Sequence, residues 1–153
     1  MREKEIQDLI NRYLDVSFSV QKKAENLIKG EIGADLTNDQ HYTLRYIKKK
    51  EICTSTELAQ IFDVNKSAIT AIINRLAEKN LIERRRDKND RRVVYLKLSN
   101  EGEQLFNNAE GKICDLVGSL LTKFDHHEIA SFIETYEKLN TVLEDYKKME
   151  DEL

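Results

Sequence analysis

The run from Asn65 to Ile82, NKSAITAIINRLAEKNLI, sorts its side chains by helical position and decides the fold. Ile69, Ile72, Ile73 and Leu76 fall at i, i+3, i+4 and i+7. At about 3.6 residues per turn they form one apolar stripe, which must face a core. About half a turn away come Ser67, Thr70, Ala71 and Asn74, flanked by Lys66 and Arg75. A face that met only water would carry Glu and Lys for helix propensity and solubility. Short hydroxyl, methyl and amide groups instead let a backbone approach base edges closely. Asn65 supplies an N-cap, and Asn80 stands where the helix should stop, able to adopt the left-handed conformation that Gly often supplies there.

Beyond that stop, Leu81 to Arg85 and Val93 to Leu98 read as two strands of a hairpin, with Val94, Leu96 and Leu98 alternating against Val93, Tyr95 and Lys97. The tip, Arg86-Asp87-Lys88-Asn89-Asp90-Arg91, is basic and holds turn formers. Upstream, Thr54-Ser55-Thr56-Glu57 has capping-box spacing and opens a short helix with Leu58, Ala59 and Ile61. Phe62-Asp63-Val64 then turns into Asn65. A groove-sized helix with a basic hairpin behind it and a short helix before it is a winged helix-turn-helix. The expected fold class is mainly α with a small β-wing.

The chain resembles the MarR family of dimeric winged-helix transcription regulators. The likeness rests on ELAQIFDVNKSAIT, on Arg75-Leu76 followed by KNLIER, and above all on Asp90-Arg91-Arg92 leading through VVYLKLSNEG, which is similar to the family's wing ending in Leu-Thr-x-x-Gly. Ser99 stands for that Thr and Asn80 for the usual Gly, and both keep the physical role. The flanking helices match in number and order, so the likeness covers essentially the whole chain. It implies one domain over 1–153, with 36–100 as the DNA-binding winged helix and 1–30 and 101–153 as dimerisation helices.

A chain of 153 residues with 35% charged and 40% hydrophobic content is long enough to bury a core. No run approaches the roughly 20 apolar residues that span a bilayer, and MREKEIQDLI is no signal peptide, so a cytoplasmic location is expected. The net charge of −3 conceals a segregation. Residues 1–65 carry 10 Lys+Arg and 11 Asp+Glu, residues 66–100 carry 10 and 4, and residues 101–153 carry 5 and 13. Positive charge therefore collects in the helix and wing that would meet phosphates.

Residues 3–29 read as one long helix closed by Gly30, with Ile6, Leu9, Ile10, Tyr13, Leu14, Val20, Ala24, Leu27 and Ile28 in its stripe. Thr37 to Gln40 forms a second capping box before Leu44 and Ile47. Ser99 caps a helix carrying Leu105, Phe106, Ile113, Leu116, Val117 and Leu120, and Asp125 caps another from Ile129 to Tyr146. The three long helices offer more apolar stripe than one winged module covers, which predicts a homodimer placing two reading helices in successive major grooves.

Catalytic and metal chemistry lack their residues. His41 stands alone, and His126 and His127 diverge by about 100° on a helix. Some relatives sense zinc through a His-rich helix after the wing and others sense peroxide through a first-helix Cys; EQLFNNAEGKI has no His, and the first helix has no Cys. Cys53, in a loop or strand edge, and Cys114, on a helix core face, are expected to be buried small hydrophobes. No cofactor, metal or enzymatic activity is expected.

The function expected is sequence-specific binding of double-stranded DNA, as a homodimeric, ligand-responsive repressor on an inverted repeat. Base reading falls to Ser67, Thr70, Ala71 and Asn74, and phosphate contact to Lys66, Arg75 and the start of the short helix at Thr54, Ser55 and Thr56. Lys88, Arg91 and Arg92 would reach the minor groove or its backbone, with Asp90 orienting the arginines. From the resemblance, a small aromatic or phenolic effector would sit near Tyr13, His41, Tyr42 and Arg45, although ordinary packing is the competing role for each. The alternative function, a winged helix used as a protein-interaction module, would want an apolar or acidic reading face, contrary to Ser67, Thr70 and Asn74.

Overall fold

The computed structural model describes residues 2–33 and 35–153; Met1, at the start of the first expected dimerisation segment, lies outside the described residues. The elements are α1 (Glu3–Ile32), α2 (Asn38–Lys50), β1 (Cys53–Thr54), α3 (Ser55–Ile61), α4 (Lys66–Glu78), β2 (Ile82–Arg86), β3 (Val94–Leu98), α5 (Asn100–Leu121) and α6 (His126–Asp151). They form two compact units, one ending at Ile113 and the other running from Cys114 to Leu153.

In the first unit the stripe of α4 finds its core. Ile69, Ile73 and Leu76 are buried among Leu44 and Ile47 of α2, Leu58 of α3, Leu96 and Leu98 of β3 and Phe106 of α5, with Ile72 packed partly buried against them. Each such side chain contributes roughly 1.5–3 kcal/mol on burial. Ser67, Thr70, Ala71 and Asn74 all stay exposed, as the periodicity predicts.

The helix ends are set by local hydrogen bonds. Asn65 Oδ1 accepts the Ala68 N–H at 2.9 Å and opens α4. At its far end Asn80 takes φ 60, Asn80 N–H donates to Ala77 O at 3.0 Å and Leu81 N–H to Leu76 O at 3.0 Å. These are the paired bonds of a Schellman motif, completed by the two buried leucines. The same pair of bonds closes α3, where Asp63 at φ 53 donates to Gln60 O and Val64 to Ala59 O. The turn between the two helices is thus built without glycine.

The hairpin strands start one residue later than expected, and a third strand joins them. Leu81 is occupied in the helix cap, and Val93 closes the loop by donating to Asp90 O and accepting from Asp87 N, so pairing begins at Ile82↔Leu98 and ends at Arg86↔Val94. The added strand, β1, pairs antiparallel with the free edge of β3, Cys53↔Leu96 and Thr54↔Tyr95, giving the order β1-β3-β2. Two residues carry no alternation to see in the sequence. The first helix also differs from expectation: it runs through Gly30 to Ile32 and stops at Gly33, whose φ of 75 allows its N–H to return to Lys29 O at 3.0 Å. Buried Ile32 holds that last turn on the core.

α4, the sheet and α5 meet at one junction. Leu81 O accepts the Ser99 N–H at 3.0 Å, and Ser99 Oγ donates to Asn80 O at 2.6 Å while accepting the Gly102 N–H at 2.9 Å. Gly102 lies so close that a Cβ there would sit 1.9 Å from the Leu81 carbonyl oxygen.

In the second unit the end of α5 is followed by α6, whose N-cap Asp125 accepts the Glu128 N–H at 2.9 Å. No residue of α6 is buried, and Phe132, Ile133, Tyr136, Val142, Leu143 and Tyr146 are all exposed. On α1 the side chains of Ile6, Leu9, Ile10, Leu14, Phe18 and Val20 are likewise exposed. Cys114, expected on a buried face, is exposed as well, whereas Cys53 is buried.

Replacing Gly102 with Ala should destabilise the protein by about 1–3 kcal/mol, because the new methyl meets backbone that cannot yield. At Gly111, where a Cβ has nothing within 4 Å, the same change should instead gain up to about 1 kcal/mol of helix propensity. Urea unfolding followed by circular dichroism checks the two signs; a stabilised Gly102→Ala variant would mean the junction is not close-packed.

Candidate nucleic-acid interface

The exposed side of α4 presents Lys66, Ser67, Thr70, Ala71, Asn74 and Arg75 together. Two of these are already oriented. Thr70 Oγ1 donates its proton to Lys66 O at 2.7 Å, one turn back, which leaves its oxygen as an acceptor beside its methyl. Asn74 Oδ1 accepts from Arg84 Nη1 at 2.6 Å. Arg84 was not expected at the site. In β2, Ile82, Arg84 and Arg86 share one side of the strand by the period of two, and Ile82 is buried, so the two arginines follow it toward α4. With Ser55, Thr70 and Asn74 they line a groove of about 480 Å³. Strand parity applied to 82–86 was the signal that locates them.

At the start of α3, the Thr54 hydroxyl accepts the Glu57 N–H at 3.2 Å and also reaches Glu57 Oε1 at 3.4 Å. Its hydroxyl therefore serves as a cap, while Ser55 lines the groove and Thr56 is exposed.

Two carboxylates organise the wing. Asp87 Oδ1 accepts the N–H groups of Asn89 at 2.8 Å and Asp90 at 3.1 Å, and its Oδ2 accepts from Tyr95 Oη at 3.1 Å. Those backbone donors, then the phenol, hold the Asp87 pKa below its ordinary value and keep the group charged. Asp90 Oδ1 accepts the Arg92 N–H and Nε at 3.1 Å each, and Oδ2 accepts from Nη2 at 3.3 Å. The expected role of Asp90 thus covers Arg92 alone; the segment at Arg91 is held through its carbonyl, which accepts from Arg86 Nη1 at 3.0 Å. Lys88 and Arg91 are exposed at the tip.

Of the four residues considered for an effector, His41, Tyr42 and Arg45 lie together on α2, and Tyr13 lies apart on α1. His41 is 2% exposed, stacked on Phe106 with ring centroids 5.3 Å apart and edge-on to Tyr42 at 5.8 Å. Its Nε2 lies 3.4 Å from Glu110 Oε2, and Arg45 pairs with the other oxygen of Glu110. Glu110, which sequence reasoning did not single out, thereby ties α2 to α5. Tyr13 is 55% exposed on α1, about 22 Å along the helix from Ile28 at about 1.5 Å per residue, where α1 meets the core. Among the described residues no helix is long and apolar enough to cross a membrane, and no three His, Cys, Asp or Glu side chains group to hold a metal.

A polar, basic helix face standing clear of its core, braced by a strand of arginines and a tied wing, is the architecture of a winged helix-turn-helix DNA-binding protein. The MarR family model matches residues 36–94. A relative named as an uncharacterised HTH-type transcriptional regulator, YpoP of Bacillus subtilis, is 29% identical over 79% of this chain and 86% of its own. The HTH-type transcriptional repressor MdtR of the same organism is 34% identical over 56% of each chain. A crystal structure of a mutant MarR from E. coli complexed with operator DNA superposes with a TM-score of 0.77 at 25% identity, covering 86% of this chain and 96% of that one. Residues 36–94 thus carry a MarR-type winged helix, and the chain is similar to DNA-binding transcriptional regulators of that family.

Burial lowers the His41 pKa from its ordinary 6.5; Glu110 opposes the shift and Arg45 adds to it. The unfolded chain therefore takes up the proton first as pH falls, so the stability contributed by neutral His41 is complete above about 6.5 and declines as pH falls toward the folded-state value. Urea midpoints should drop between about pH 7 and pH 5, and His41→Gln should flatten that drop; an equal drop in the variant would assign it to other groups.

Proposed function

We propose that the protein is a homodimeric, sequence-specific repressor that binds an inverted repeat, with residues 36–100 docking on DNA and residues 1–30 and 101–153 joining the two copies. The observation that carries this reading is the coincidence of a basic, polar α4 face with long helices, α1 and α6, whose apolar side chains stand in water in a single chain. Exposed apolar stripes of this length are what a second copy would cover. MdtR, a relative named a repressor, supports the sign of regulation, and the MarR structure complexed with operator DNA supports the docking of α4 in a groove.

In this reading Ser67, Thr70, Ala71 and Asn74 face base edges, and Lys66, Arg75, Ser55 and Thr56 meet phosphates. Lys88 and Arg91 extend to the minor groove or its backbone, and Arg92 follows from its station on Asp90. Response to a small aromatic or phenolic acid would run through Arg45: a carboxylate taking Glu110's place there would loosen the tie between α2 and α5.

Selection from random duplex DNA should return an inverted repeat with half-sites about one helical turn apart, bound by a dimer in analytical ultracentrifugation. Affinity should fall with salt with a log-log slope on the order of −6 to −10. A monomer at micromolar concentration, or a flat salt dependence, would be incompatible with the proposal.

The helix and the wing should contribute different kinds of energy. Asn74→Ala should cost roughly 1–3 kcal/mol on the selected duplex and little on scrambled DNA. Arg92→Ala should weaken both more nearly alike and reduce the salt slope by about one. Titrations of each variant against both duplexes at several salt concentrations decide the matter; the reverse pattern would exchange the two roles.

A further inference from the structure

We propose that Arg84 is a positioning residue that fixes the Asn74 amide with its two N–H donors presented to DNA, so that Asn74 selects a base edge made only of acceptors, guanine first. This rests on the reading of α4 as the base-contacting helix. An asparagine side chain that can turn freely offers both a donor and an acceptor, the pair that matches N6 and N7 of adenine. Asn74 is not in that condition. Its Oδ1 accepts from Arg84 Nη1 at 2.6 Å. A guanidinium has donors and no acceptor, so the amide atom facing it must be the oxygen; turning the amide over would set N–H against N–H beside a full positive charge.

The base of Arg84 is well held. It sits in the middle of β2, paired across the sheet with Leu96, which is fully buried, on the side of the strand that follows Ile82 toward α4. The bond therefore joins a helix and a strand ten residues apart in sequence. Arg84 and Asn74 line the same groove with Thr70 and Ser55. With Oδ1 turned to Arg84 and one of its two lone pairs taken, the group left facing a base at Asn74 is the NH₂, made a stronger donor by the guanidinium charge at the other end of the amide. In the major groove guanine offers two acceptors, N7 and O6, thymine offers one, and adenine sets its own amino group beside N7. Thr70, one turn earlier, has the opposite polarity: its proton is donated to Lys66 O and only its acceptor and methyl are left. The two residues, alike in size and both able to donate and accept on paper, are given opposite signs by their neighbours.

The test uses the full-length protein and a library of duplexes with a randomised core of about two helical turns. The duplex selected by the wild type is varied to all four base pairs at each position, and the variants are compared by competition titration at one salt concentration. Asn74→Ala should lose discrimination at one position per half-site, where the wild type prefers guanine to adenine by about tenfold. At that position Arg84→Ala should favour adenine or no longer separate the two, while Arg84→Lys, which also offers only donors, should keep guanine. Loss of general affinity in either Arg84 variant moves all base pairs together and leaves these ratios intact. An Arg84→Ala protein with the wild-type preference overturns the positioning role, as does a wild type that prefers adenine at the Asn74-dependent position. A preference lost in Arg84→Ala at a position that Asn74→Ala leaves untouched makes Arg84 itself the reader and overturns it too. If Asn74→Ala changes no position, base reading by Asn74 fails first and the inference falls with it, a pattern distinct from a silent Arg84.

Discussion

The carbonyl of Leu81 holds the winged module together. The Leu81 N–H ends the cap of α4, while its carbonyl accepts the first N–H after β3 and leaves room for nothing larger than Gly102 at the start of α5. Three elements are thereby fixed within a few ångströms: the helix that faces outward, the strands of the wing and the helix that leaves the module. Ser99 adds two hydrogen bonds to the same point. A buried backbone group left unpaired there would cost on the order of 1–3 kcal/mol, so the angle between helix and hairpin is poorly tolerant of change. The packing of Leu76, Leu81 and Leu98 beneath it converts that local geometry into a core.

Given a fixed helix and strand, side chains on the surface can be oriented by each other. Arg84 meets Asn74, Arg86 holds the loop at Arg91, Asp87 gathers two backbone amides and a phenol, and Asp90 holds Arg92. Exposed hydrogen bonds and ion pairs of this kind add little to folding stability, commonly about 1 kcal/mol or less each. Their effect is on conformational entropy: side chains tied in this way have already lost part of the freedom that engaging a partner would cost them.

Charge and apolar surface are partitioned along the chain in complementary ways. Residues 66–100 hold 10 Lys+Arg against 4 Asp+Glu, residues 101–153 hold 5 against 13, and the apolar stripes of α1 and α6 lie outside the winged module. Beyond the Gly102 junction, His41, Phe106, Glu110 and Arg45 also tie the module to α5, through a ring stack with a shared carboxylate. Neutral His41 donating from Nε2 leaves only the acceptor Nδ1 buried without a partner, a smaller penalty than a buried unpaired cation.

Much of this was legible in the residues themselves because it depends on period and on neighbours three or four positions apart. The α4 stripe, its polar face, the caps at Thr37, Asn65, Ser99 and Asp125 and the left-handed stop at Asn80 are all short-range consequences of side-chain chemistry. Charge segregation was equally plain, since it needs only counting. Other features came from contacts between segments far apart in the chain. The strand at Cys53–Thr54 exists only because β3 has an edge to offer, and α1 passes Gly30 because Ile32 has a core to enter. Glu110 acquires its place from His41 and Arg45 more than sixty residues away. Asn74 is the sharpest case: its identity and outward direction follow from the helix, but which end of its amide faces outward is set by Arg84, and no local pattern in the sequence encodes a hydrogen bond between a helix and a strand that meet only when the chain has folded.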